Sequence, residues 1–138
     1  MKKNSLLTVL LLGLSLVLAA CSSKPAPAST SIDVTLTDYQ FTPNTFTIPA
    51  GAQISFKAVN NGSHDHSFLI MKKGDEVKGH FTDADKQNVY WGKEPISVGQ
   101  TVTDTFTAPG DPGIYQIVCG EQGHFEAGMV AKLIVVKP

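Results

Sequence analysis

Residues 52–62 read AQISFKAVNNG, and their side chains alternate in character. Ile54, Phe56 and Ala58 would share one face, while Gln53, Ser55 and Lys57 would share the other. A period of two belongs to a half-buried strand, because successive side chains leave a pleated backbone on opposite sides. The run stops at Asn60-Asn61-Gly62, residue types that tolerate the backbone of a tight turn. A strand followed by such a turn predicts a second strand nearby, and HSFLIM follows at residues 66–71.

The same pattern recurs on both sides. IDVTLTDYQFTP, TFTIPAG, GQTVTDTFTAPG, GIYQIVC and GMVAKLIVV are each rich in Val, Ile, Thr or Phe and bounded by Gly, Pro or Asn. Each reads as a strand or a pair of strand pieces. Short strands separated by near-regular turn signals predict an all-β domain, a Greek-key sandwich or barrel of about seven to eight strands. Residues 72–94, KKGDEVKGHFTDADKQNVYWGKE, are charged and weakly patterned. They predict an excursion over one edge, with a short helix around residues 83–87. His80 is expected to be exposed there, and Tyr90 and Trp91 to cover the core. Met71, at a strand end, is expected to be packing.

The chain opens with MKKNSLLTVLLLGLSLVLAAC. Lys2 and Lys3 precede an apolar stretch, residues 6–18, too short to span a bilayer comfortably, which is the layout of an export signal. Its end, Leu18-Ala19-Ala20-Cys21, resembles a bacterial lipobox. The resemblance implies cleavage of residues 1–20 and a lipid on Cys21. Lipid chains contribute roughly 0.8 kcal/mol per buried CH₂, so two or three anchor a protein durably. SSKPAPASTS then supplies small, polar and proline residues that cannot bury a core, so residues 21–31 form a lipid-bearing tether. Residues 32–138 remain, enough for one small domain. Eleven basic residues less the two leader lysines leave nine against twelve acidic ones, near −3, with no arginine. That balance argues against a nucleic-acid partner.

With Cys21 lipidated, Cys119 is the only thiol left, so it has no disulfide partner in an oxidising compartment. It sits in CGEQGHFEAGM, where Cys119, His124 and Met129 are separated by four residues each. At the start of the HSFLIM strand stands His66, and one end of a sandwich can bring it to the same point. His64, two residues earlier, is the alternative ligand; the strand register favours His66, which leaves His64 a solvated turn residue. Two imidazoles and a thiolate with a weak thioether form the donor set of a mononuclear type 1 copper site. Copper would hold Cys119 as a thiolate and account for the lone cysteine.

On NNGSHDHSF and CGEQGHFEAGM the chain resembles the cupredoxins, small blue copper proteins of the plastocyanin and azurin type. The length of both intervals in the Cys-to-Met loop is similar to that of rusticyanin, and FTPNTFTIPAG is similar to the family's approach to the first-histidine turn. The resemblance implies a cupredoxin-like sandwich binding one copper through His66, Cys119, His124 and Met129. Two positions depart from the family. Ser67 stands where many members carry an asparagine that braces the cysteine loop, and Glu121 and Glu126 flank a loop that is usually apolar. An acidic docking face suits a basic partner.

A site with no open coordination position has no place for a substrate, and no second set of copper ligands is present, so the expectation is a protein that is not an enzyme. The expected activity is one-electron transfer, with Cys119 supplying electronic coupling, His66 fixing the metal from inside, His124 offering a solvent-facing edge and Met129 tuning the potential. The expected protein is a monomer in the cell envelope, lipid-anchored outside the cytoplasm. Its partners would be extracytoplasmic or membrane redox proteins such as a cytochrome, a reductase or an oxidase. The alternative is a protein that buffers or delivers copper, for which easy metal release through exchangeable ligands such as His64 would be needed.

Overall fold

The structure is a computed structural model that describes residues 27–138. The leader, Cys21 and the first part of the tether lie outside the described residues. Among the described residues no helix is long and apolar enough to cross a membrane.

Among the described residues nine strands form two sheets, one more than the upper end of the expected range. They are β1 (Ser31–Thr37), β2 (Gln40–Thr42), β3 (Thr45–Pro49), β4 (Gln53–Asn60), β5 (His66–Met71), β6 (Val89–Ile96), β7 (Thr101–Thr107), β8 (Gly113–Val118) and β9 (Val130–Val136). One sheet has the order β2-β1-β4-β7 and the other β3-β9-β8-β5-β6. The pairs β1–β4 and β3–β9 are parallel and the rest antiparallel. The alternation in β4 is realised: Ile54, Phe56 and Ala58 are buried, and Gln53, Ser55 and Lys57 are exposed.

The inner faces meet in an aromatic cluster. Phe68 of β5 lies 5.5 Å from Phe41, 5.9 Å from Phe46 and 5.0 Å from Phe56, measured between ring centroids. Trp91 stacks on Phe106 at 4.3 Å and meets Phe56 edge-on at 5.0 Å, covering the core as expected. Tyr90 instead points outward, 40% exposed, and its hydroxyl donates to the Thr107 carbonyl.

Every residue of β5 is buried, which one sheet face alone cannot achieve. Phe68 and Ile70 join the inter-sheet core. Leu69 and Met71 face the other way and pack with Val77, Val118, Phe81, Val89 and Phe125. Residues 72–88 are thus an excursion that covers the outer face of β5 and β8. It carries a short 3₁₀ helix, Asp83–Asn88, whose first turn is closed by Thr82 and Asp85, and His80 is exposed. The excursion ends sooner than expected, because residues 89–96 are the edge strand β6. Its burial follows no period of two, and two register shifts interrupt its pairing with β5, so it leaves no alternating trace in the sequence.

Candidate metal centre

The donors converge at one end of the sandwich because β5 begins where β8 finishes. Val118 pairs with Leu69, so Cys119 emerges beside the start of β5. His66 opens β5 from the turn after β4, and buried Asn60 holds that turn. The Asn60 side-chain amide donates to the carbonyls of His64 and Ile96, both at 2.8 Å, and its oxygen accepts the Gly62 amide at 2.9 Å.

The Cys119-to-Met129 loop folds on itself. The Cys119 amide donates to the Met129 carbonyl at 3.2 Å, the Met129 amide to the His124 carbonyl at 3.0 Å, and the His124 amide to the Glu121 carbonyl at 3.1 Å. Gly128, at φ +94°, takes the left-handed conformation that turns the chain into Met129, where a side chain would be strained.

His66 Nδ1, His124 Nδ1 and Cys119 Sγ consequently lie within 4.8 Å of one another. The sulfur is 3.3 Å from His124 Nδ1 and 4.0 Å from His66 Nδ1, and the two nitrogens are 3.1 Å apart. All three residues are buried, and fully buried Met129 shares the inter-sheet core with Cys119. His64 stands outside this cluster, with its side chain 56% exposed.

Ser67 takes part through two atoms. Its amide donates to Cys119 Sγ at 3.3 Å, and its hydroxyl, 3.7 Å from the sulfur, accepts the Gly120 amide at 2.6 Å. A single serine thereby ties β5 to the cysteine loop, despite its shorter reach than asparagine.

Two residues of the site were not singled out from sequence. Asp38, between β1 and β2, accepts from His66 Nε2 at 3.0 Å. Tyr39 lies edge-on to His124 with ring centroids 4.7 Å apart. Both contacts join positions remote in the chain, and locally Asp-Tyr is only a break between two strand pieces. Tyr39 also alters one expectation: beneath it, His124 is only 7% exposed rather than openly solvent-facing.

The electrostatics suit a bound cation. Burial pushes the Cys119 thiol up, so a thiolate there needs a positive charge beside it. Burial, then the neighbouring His66 and His64, pull His124 down and keep it a neutral donor. Burial, then Asp65 and Glu94, raise the Glu121 carboxyl, which marks an acidic rim. A thiolate with two imidazoles is too soft a set for calcium or magnesium, and divalent affinity at such a site peaks at copper. The residues present fit copper.

Comparison with known proteins agrees. A family model described as a cupredoxin-like domain matches residues 8–135. The copper-resistant cuproprotein CopI of Rubrivivax gelatinosus is 30% identical over 117 residues, which span 80% of this chain and 68% of that protein. Among solved structures, dithionite-reduced auracyanin from the photosynthetic bacterium Roseiflexus castenholzii is similar with a TM-score of 0.67 and 28% identity, over 80% of this chain and 99% of that one. Reduced rusticyanin is similar with a TM-score of 0.56 and 25% identity, over 80% of this chain and 82% of that one.

Proposed function

The chain belongs to the cupredoxin-like family, and from that premise we propose that it is an extracytoplasmic carrier of single electrons using one type 1 copper. One observation carries the reading: two imidazole nitrogens and a thiol sulfur, all buried, converge within 4.8 Å at the rim of a rigid sandwich. Bound copper would supply a one-electron couple. Cys119, His66 and His124 would hold it, with Met129 as a weaker thioether donor. Their strands and hydrogen bonds keep these donors from rearranging, which lowers the reorganisation that electron transfer requires. A closed donor set leaves no position for a substrate, which supports a carrier rather than an enzyme.

The lipobox-like end of the leader supports anchoring through Cys21 to the outer side of a bacterial membrane. There the protein would act as a monomer, meeting a cytochrome, a reductase or an oxidase. Glu121, Glu126, Asp65 and Glu94 around the loop favour a partner with a basic face.

Absorption spectroscopy during Cu(II) titration tests the reading. An intense thiolate-to-copper band that disappears in Cys119→Ser is the expected result. A colourless wild-type protein would refute it. A second reading, copper buffering or delivery, draws on the similarity to CopI and on exposed His64 beside the site. It predicts ready transfer of Cu(I) to an acceptor chelator, whereas the carrier reading predicts retention through repeated redox cycles.

A further inference from the structure

His66 is the one ligand held far from the Cys119 loop in sequence, and its ring has no exposed surface. A neutral imidazole carries one proton, and which nitrogen bears it decides which can bind a metal. Nδ1 faces the sulfur and His124, while Nε2 faces Asp38 Oδ1 at 3.0 Å. A carboxylate oxygen can only accept when ionised, so the proton belongs on Nε2 and the lone pair on Nδ1.

The carboxylate is itself fixed. Its other oxygen accepts from the Ser63 amide at 2.8 Å and from the Ser63 hydroxyl, with His64 Nδ1 at 3.3 Å. Gly62 leaves room for the pair and nothing more. A Cβ there would lie 2.4 Å from Asp38 Oδ1 and 2.7 Å from His66 Nε2.

From this geometry we infer that Asp38 is a positioning residue for the metal centre: it fixes His66 in the Nε2–H tautomer and, by placing a negative charge on that ring, favours Cu(II) over Cu(I). A backbone carbonyl could set the tautomer equally well. Only an anion adds charge, and a carboxylate partner makes the ring a stronger donor through Nδ1. The inference rests on the copper reading above for its redox half and stands on the metal-free protein for its tautomer half.

The test uses the full-length chain and the variants Asp38→Asn, Asp38→Ala and Gly62→Ala, each checked for folding by circular dichroism. In metal-free protein, nitrogen-15 NMR of the His66 ring should show a single Nε2–H tautomer, mixed in Asp38→Ala. In copper-loaded protein, spectroelectrochemical titration should show Asp38→Asn shifting the Cu(II)/Cu(I) preference about tenfold toward Cu(I), a rise of about 59 mV for one electron. Gly62→Ala, which keeps the carboxylate but displaces it, should move the potential the same way. Asp38→Ala should do so too, with Cu(II) affinity reduced about 10- to 100-fold. Unchanged potentials in Asp38→Asn and Asp38→Ala would overturn the charge role. A mixed His66 tautomer in the wild type would overturn the positioning role. A wild-type protein with no thiolate-to-copper band but a single Nε2–H tautomer would remove the copper reading, and the redox half with it, while supporting the positioning half.

Discussion

Replacing Asn60 by alanine isolates the turn that delivers His66. The Asn60 side chain is buried and spans three partners: the carbonyls of His64 and Ile96 and the amide of Gly62. The bond to Ile96 is fully buried, while the other two are partly buried, so water can replace them after truncation. Leaving a buried acceptor without a partner costs about 1–3 kcal/mol, and each hydrogen bond that water can replace about 0.5–1.5 kcal/mol. A loss near 4 kcal/mol follows, a large share of the roughly 5–15 kcal/mol that holds a domain folded. With an unfolding entropy of about 2.1 cal/mol/K per residue over a domain of this size, Tm should fall by roughly 17 °C. Urea unfolding and calorimetry should be run on metal-free protein, so that metal linkage does not mask the change. A loss below about 1 kcal/mol would refute the claim that this side chain carries the turn.

Two further outcomes follow from the packing and the acids. Phe68→Ala should cost about 3–5 kcal/mol in the same urea assay, because its ring touches aromatic residues from both sheets and little can close the void. The Thr82 hydroxyl, then the Thr82 amide, lower the Asp85 carboxyl, so that pair stabilises the fold above the ordinary carboxylate pKa and the contribution is lost as pH falls through the lowered one. Thr82→Val should therefore destabilise the protein at neutral pH and flatten the acid limb of its stability profile; an unchanged acid limb would refute the assignment.

Strands whose two faces differ were legible in the sequence. In β4 one face meets the core and the other meets water, so Ile54, Phe56 and Ala58 mark their own direction. β5 was legible as a strand through its apolar run, but not as a strand covered on both sides, because its outer cover is supplied by Val77 and Phe81 from a charged segment. β6 was hidden by its position at an edge, where half-buried side chains need not alternate. In the site, three donors stood within one loop and His66 at a strand start, so local spacing carried them. Asp38 and Tyr39 could not be found that way. Their contacts depend on where the β1–β2 turn lands over the sandwich end, which only the folded arrangement defines.

The division of donors between one loop and a distant strand has a consequence for metal linkage. Cys119, His124 and Met129 lie within eleven residues, whereas His66 is 53 positions from Cys119. An unfolded chain can already offer the loop donors as a local chelate, at small closure cost. A metal stabilises the native state only by the excess of its native affinity over its affinity for the unfolded chain. For this protein that excess is supplied by His66 and by the rigid backbone that holds the loop closed. The metal therefore rewards chiefly the long-range pairing of β5 with β8, and acts as a sensor of completed topology rather than as a staple for the loop.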